Sequence, residues 1–367
     1  MEAVMGEPVQ QHARGFMQPA LNMRRLGVCV LTACIAVACG GNGDNKQVLT
    51  IYSPHGKELL SHYELGFEKA NPGVDVQWLD MGSQEVLERI RAEKVNPQAD
   101  VWFGAPTEMF ERATSEGLLQ QYVPTWKTAI APAAQDTGGM WYGTYLTPEV
   151  IAYNSDKVDS ASAPRDWSQV VDPKWKGHVV IRDPVASGTM RAIFGAILQR
   201  SIESTRSTDS GWAFLRQLDG NTREYAANPA ILYEKLKRGD GWITLYNMPD
   251  IATLQQRTGA PVKYIVPSSG TPLLVDAIAV VKGTKHAELA GKFIEYVMTI
   301  ESLKYAADSL QRIPARNDVP DSILPVWVRN ARVQIRPMNV DRRLMADSLN
   351  SWMQQWDSKV RNRSAKK

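Results

Sequence analysis

The segment IRDPVASGTMRAIF sets Ser187, Gly188 and Thr189 between a polar turn and a run with helical character. Backbone amides in the first turn of a helix have no intrahelical acceptor, so Ser187, Gly188, Thr189 and Met190 can offer several donors to an anion. The same residues also read as a plain serine cap. Arg182 could add a charged fork nearby, whereas Arg191 follows the cap and could project away. A second polar set, Ser53, His55 and Gly56, ends the apolar run VLTIYS. There the Ser53 hydroxyl and the Gly56 amide can hold oxygens, and His55 either donates to an anion or closes the turn. Gly104, Ala105 and Thr107 follow the apolar ADVWF and would let a small molecule approach the backbone. Tyr145 lies in WYGTYLTPEVIAYN, and Tyr246 and Asn247 end GWITLYN, where strand termini deliver side chains. Asp276 interrupts the apolar LLVDAIAV and could accept from an amino or hydroxyl group, or be satisfied by local amides.

These residues form no enzyme signature. VASGT lacks the Gly-x-Ser-x-Gly elbow and no histidine is placed as its base; VASGTM also lacks the Lys-Ser/Thr ending of a phosphate-binding P-loop. All 3 cysteines of the 367-residue chain are Cys29, Cys34 and Cys39, which leaves no thiolate nucleophile or disulfide in the remainder. The 5 histidines make no metal-ligand cluster, so neither metal nor cofactor is expected. With 42 Lys+Arg against 39 Asp+Glu the net charge is +3, and the basic residues after Arg329 read as a solvated face rather than a nucleic-acid groove.

The positioning elements read as successive β-α-β units. VLTIYS, VDVQWLDMG and ADVWFGAP are strand-like, and GKELLSHYELGFEKA has helical spacing that puts Leu59, Leu60, Tyr63 and Phe67 on one side. Further strands are expected at WYGTYLTPEVIAYN, GHVVIRDP, GWITLYN and PVKYIVP. Helices are expected at TMRAIFGAILQRSIES, GWAFLRQLDG, PAILYEKLKRG and AELAGKFIEYVMTIESLKYAADSL. Parallel strands covered by helices present their ligand loops at the strand carboxyl ends. Residues 143–148 and 267–273 join strand-like segments without a long linker and are candidate crossings between two lobes.

Arg24 and Arg25 precede an apolar run that ends Ala-Val-Ala-Cys, the pattern of a secretory signal too short to span a bilayer. The run resembles the bacterial lipoprotein signal, although Ala36 replaces the usual leucine three places before the cysteine. Residues 23–38 are then a signal peptide, Cys39 the lipidated first residue, 39–47 a tether, and 1–22 an upstream extension.

Together with LTIYSPHGKELLSHYELGFEKANPGVDVQWL and WKGHVVIRDPVASGTMRAIF, this signal resembles bacterial extracellular solute-binding proteins of ATP-driven importers. The branch is the one that includes ferric-ion, phosphonate and sugar-phosphate receptors. The resemblance implies an α/β, two-lobed periplasmic-binding-protein fold (type 2) with an interlobe cleft. Lobe 1 would span 48–144 and about 273–316, lobe 2 would span 145–272, and 317–367 would form a helical region packed across one or both. It implies a monomeric, lipid-anchored receptor for a small anionic organic solute, delivered to membrane permease subunits coupled to a cytoplasmic ATPase. On that pattern Ser187, Gly188 and Thr189 match the anion-holding helix start and Asn228 a nearby polar contact. The iron ligands are largely lost: Gly56 falls where the histidine would be, Ala105 replaces the glutamate, and Tyr246 is followed by Asn247 rather than a second tyrosine. An iron(III) receptor with altered ligands, an exported hydrolase and a sensory binding protein are the alternatives.

Overall fold

The computed structural model describes residues 46–361; the signal, Cys39 and most of the tether lie outside them. The chain begins β1 (Gln47–Ser53), α1 (Lys57–Ala70), β2 (Val74–Asp80), α2 (Ser83–Ala92), β3 (Val101–Pro106), α3 (Thr107–Ser115), β4 (Leu119–Gln120) and the long β5 (Tyr142–Asn154). It continues through α4 (Trp167–Val170), β6 (Val179–Arg182), α5 (Gly188–Thr205), α6 (Asp209–Asn221), β7 (Thr222–Ala226), α7 (Pro229–Arg238), β8 (Ile243–Asn247), α8 (Met248–Thr258) and β9 (Val262–Ile265). It returns as β10 (Leu273–Val281), α9 (Ala287–Val297), α10 (Ile300–Leu310), β11 (Ile313–Pro314) and α11 (Val326–Gln334), and ends with α12 (Arg342–Lys359).

Strand pairing runs β2-β1-β3-β10-β5-β8-β6-β7, with β4 on β10 and with β9 and β11 on β5. β5 belongs to both halves. Its first part pairs antiparallel with β10, ending at Pro148 opposite Leu273, and its second part pairs with β8, starting at Glu149 opposite Asn247. Proline has no N–H to give a ladder, so Pro148 stands where the strand changes partner. We call the β1-β2-β3-β10 side the first lobe and the β6-β7-β8 side the second.

Each lobe is a sheet buried on both faces, which explains the nearly continuous apolar strands. In the first, Leu59, Leu60, Tyr63 and Phe67 of α1 pack with α9, α10 and α11 on one face, while α2 and α3 cover the other. In the second, α5, α6 and α12 cover one face, and α7 and α8 the other. The apolar spacing of α1 thus gives the burial expected of it. The helix expected from Ala287 to Leu310 is two helices: the Thr299 hydroxyl accepts from the Ser302 amide and starts α10 afresh. Thr107, expected after the ADVWF strand, opens α3.

The C-terminal region divides between the lobes. Val328, Ala331 and Ile335 join the first-lobe core, whereas Met345, Leu349, Trp352, Met353 and Trp356 join the second. The connection makes a third crossing: the Thr271 amide donates to the Arg336 carbonyl at 2.9 Å, and the Met338 amide to the Thr271 carbonyl at 2.8 Å. Trp356 is fully buried, with its ring 5.6 Å from Phe194 and 5.1 Å from Tyr225, edge-on to both. Trp356→Ala is expected to destabilise the protein by about 3–5 kcal/mol through the cavity it leaves. Urea denaturation measures this, and a loss below about 1 kcal/mol would place α12 outside the core.

Candidate functional site

The lobes meet around Gly188. A Cβ built there would lie 2.9 Å from Ser83 Oγ and 3.1 Å from Pro106 Cδ, and one on Gly82 would lie 3.1 Å from the Ala186 carbonyl oxygen. The start of α5 in the second lobe therefore presses against the starts of α2 and α3 in the first. In α5 the Ser187 hydroxyl accepts from the Met190 amide at 3.3 Å. In contrast, α1, α2 and α3 follow Gly56, Gly82 and Pro106 with no side-chain cap. Their first-turn amides leave positive dipole ends without a capping oxygen from those positions. Ser187, Gly188, Met190 and Thr107 are buried here and Thr189 is half-buried.

On the first-lobe wall, Gly104 has φ 96° and Ala105 φ 97°, opposite a register shift in β10. Glycine accepts that backbone freely, but alanine does so at a cost of about 1–3 kcal/mol, the kind of strain that collects at functional sites. The space above Gly104 holds His55 rather than open cleft, since a Cβ on Gly104 would come within 2.6 Å of the imidazole Nε2. His55 is edge-on to Phe103 at 4.8 Å and to Tyr145 at 5.9 Å, and its amide donates to Ser53 Oγ. Burial, then the Arg312 charge, hold its pKa well below the usual range, so the ring is neutral. Its Nε2 is shielded without a hydrogen-bond partner. Tyr145, expected to touch solute, is fully buried and shares a 2.5 Å hydroxyl-to-hydroxyl bond with Tyr63.

A charged network lies where β5 crosses. Thr147 donates to Asp276 Oδ2 at 2.5 Å, and burial pushes the Asp276 carboxyl up to about 6. Asp250 accepts from Asn247 Nδ2, from the Tyr233 hydroxyl and from Arg312 Nη2, each at 2.9 Å. Asn247, expected to present its side chain to solute, is engaged locally. Its Oδ1 caps α8 through the Asp250 amide, and Asp250 pairs across the lobes with the buried Arg312. Tyr246 packs edge-on to Tyr233 at 6.1 Å, and burial raises its hydroxyl pKa. Glu149 is fully buried, and its carboxylate oxygens have no donor at ordinary hydrogen-bond geometry, only a weak one in the Thr189 hydroxyl.

The remaining positions are more distant in role. Arg182 is buried and spends Nη1 on the Ala227 carbonyl at 2.7 Å, leaving Nε unpaired. Asn228 is exposed, and its Oδ1 caps α7 at the Ile231 amide. Arg191 does not project away: it is buried, and Nη2 donates to Asn350 of α12. The fold thus assembles Ser53, His55, Gly56, Gly104, Ala105, Thr107 and Tyr145 with residues 187–190, Tyr246, Asn247 and Asp276 around one interlobe region. Glu149 and Arg312 were not foreseen. A carboxylate in the apolar strand TPEVIAY was a legible signal for Glu149, whereas nothing in SLQRIPAR distinguished Arg312. Among the described residues, no group of three or more His, Cys, Asp or Glu side chains is arranged to hold a metal ion.

Two lobes sharing crossing strands, with helix starts converging between them, define the periplasmic-binding class. Residues 66–333 match the family profile described as bacterial extracellular solute-binding protein, and the chain belongs to that family. It is 26% identical to "Probable ABC transporter periplasmic-binding protein y4fP" of Sinorhizobium fredii, over 93% of this chain and 94% of that protein. It is also 26% identical to "Putative 2-aminoethylphosphonate-binding periplasmic protein" of Salmonella typhimurium, over 76% of this chain and 81% of that one. The fold is similar to that of the periplasmic binding protein AfuA of Actinobacillus pleuropneumoniae, solved with exogenous fructose-6-phosphate bound. There the TM-score is 0.73 at 22% identity, covering 86% of this chain and 99% of AfuA. Family membership makes the chain an extracytoplasmic solute-binding receptor of the type that serves ABC importers.

Gly188→Val is expected to obstruct the closed arrangement, because its branches meet Ser83 and Pro106; small-angle scattering would show a larger radius of gyration, and an unchanged profile would contradict the contact. The Asp276 carboxyl titrates higher folded than unfolded, so its contribution is present below about pH 4 and is lost as pH rises through about 6. Asp276→Asn should remove up to about 3 kcal/mol of that loss, seen as a flatter melting temperature between those values. An unaltered pH profile would show that Asp276 does not titrate there.

Proposed function

We propose that this receptor captures a small anionic organic solute bearing phosphonate, phosphate or carboxylate, and presents it to permease subunits coupled to an ATPase. One observation carries this reading: the start of α5 meets the starts of α2 and α3, whose N-cap residues Gly82 and Pro106 make no side-chain cap bond, across the interlobe contact at Gly188. Several oriented amide dipoles in a desolvated cleft favour negative charge without a basic residue. Closure traps the solute because contacts to both lobes exist only in the closed form, and the permease reads that form. The phosphonate and sugar-phosphate names among its relatives support this choice.

No covalent step is required of these residues, and the protein acts as a monomeric binding protein rather than as an enzyme. Cys39 and the following Gly-Asn-rich segment fit a lipid-anchored form at the outer side of a membrane. Iron(III) is disfavoured because the hard anionic ligand set is largely missing: Gly56, Ala105 and Asn247 stand where iron-holding relatives would need a histidine, a glutamate and a second tyrosine. Protein purified under non-denaturing conditions should retain an anionic compound identifiable by mass spectrometry. Retention of a neutral sugar or peptide, or stoichiometric visible tyrosinate bands on iron titration, would overturn this assignment.

A further inference from the structure

The excess of acid at the crossing bears on the other end of the solute. Glu149 is fixed at the changeover of β5: its amide donates to the Pro272 carbonyl at 3.1 Å and its carbonyl accepts from the Thr271 hydroxyl. The side chain is fully buried, and its oxygens have no donor at ordinary hydrogen-bond geometry, only a weak one in the Thr189 hydroxyl. The groups whose charges act on it are Asp276 of β10, Asp250 of α8 and Glu108 of α3, all acidic, and its neighbour on α5 is the Thr189 hydroxyl. Glu108 faces Arg191 and Arg342, whereas the cation facing Asp276 and Asp250 is Arg312, which is engaged by Asp250. Its own Nε is buried with no acceptor.

A buried carboxylate with one weak hydroxyl donor loses far more hydration than it regains, and a ligand that supplies donors completes it. Protonating Glu149 would remove the charge but would still leave its oxygens with the Thr189 hydroxyl alone. A solute hydroxyl would supply a hydrogen bond but leave Glu149 and Asp276 without a cation paired to either. An ammonium supplies both, with three donors and a unit charge.

We propose that the solute is a small zwitterion whose protonated amine sits between Glu149 and Asp276, a few bonds from the anionic group at the α5 start. The anionic half rests on the function proposed above; the amine half rests on Glu149. Because Thr189 neighbours Glu149 and also lies in the first turn of α5, the two charges of the solute must be close together. That points to short aminoalkyl phosphonates or aminoalkyl carboxylates rather than to phosphorylated sugars.

Calorimetric titration of the full folded chain with matched pairs tests this: 2-aminoethylphosphonate against 2-hydroxyethylphosphonate, and β-alanine against 3-hydroxypropionate. The amine of at least one pair should bind about tenfold or more tighter than its hydroxyl partner. Glu149→Gln should bring that ratio close to one while raising the melting temperature of the ligand-free protein at pH 7.5, because an unfavourable buried acid is removed. The melting curve also reports that the variant folds. Equal binding of amine and hydroxyl compounds would overturn the amine site and leave the anion reading standing. A preference that survives Glu149→Gln would overturn the role given to Glu149. Failure of all four compounds and of inorganic phosphate to bind would overturn the anion reading, and this inference with it.

Discussion

One strand has to serve two sheets. Residues 142–154 form β5 without interruption, yet its ladder partners change from β10 to β8 between Pro148 and Glu149. A strand in that position must satisfy its backbone twice over, in two sheets that turn relative to one another during closure. The missing N–H of Pro148 removes a donor at the changeover, and the Thr271 hydroxyl and Pro272 carbonyl take up the backbone of Glu149 just beyond it. Rotation can then occur where the fewest ladder bonds have to break. The segment 336–338 lies against Thr271 at the same place, so all three passes between the lobes are gathered in one narrow band.

The position of that band decides what the cleft can hold. Strand and helix termini of both lobes open toward it, which brings amide donors from α5, α2 and α3 together. The same band places Asp276, Glu149 and the Arg312–Asp250 pair in the interior. Because Arg312 belongs to the first lobe and Asp250 to the second, their ion pair is itself a contact of the closed form. Arg342 of α12 makes another such contact, with Glu111 of α3 at 3.2 Å. An exposed pair of the second kind contributes little to stability, whereas separating Arg312 from Asp250 without hydration would be expensive.

Much of this architecture was legible because periodicity reports burial directly. Leu59, Leu60, Tyr63 and Phe67 mark one side of α1, and all four are buried. The apolar strands of both lobes were legible for the same reason. What failed were local decisions made by single polar atoms: the Thr299 hydroxyl restarts a helix that apolar spacing would have run through, and Asn228 spends its carbonyl oxygen on a cap. At the site, Ser187, Gly188 and Thr189 could be placed from chain chemistry because a helix start acts through its own backbone. Arg312 and Asp250 could not, since their meaning comes from a partner 62 residues away. Asp276 was noticed as an acid in an apolar strand. Glu149 satisfies the same criterion, an acid within the apolar strand segment TPEVIAY, and was as legible there as Asp276.

Burial that disfavours the ligand-free closed state also makes closure depend on ligand. In the closed form Glu149 lies among Asp276, Asp250 and Glu108, and burial with that repulsion raises its pKa well above the usual range. Closing an empty cleft at neutral pH therefore requires either proton uptake or unpaired buried charge. Opening would admit water to these carboxylates and relieve both. A solute that neutralises them shifts the balance by its differential affinity for the closed form, and only by that amount. An apolar residue in place of Glu149 would make the closed form easier to reach without solute, and a transporter that recognises closure would then be offered empty receptors. Poor stability at the crossing is on this view what allows closure to report occupancy.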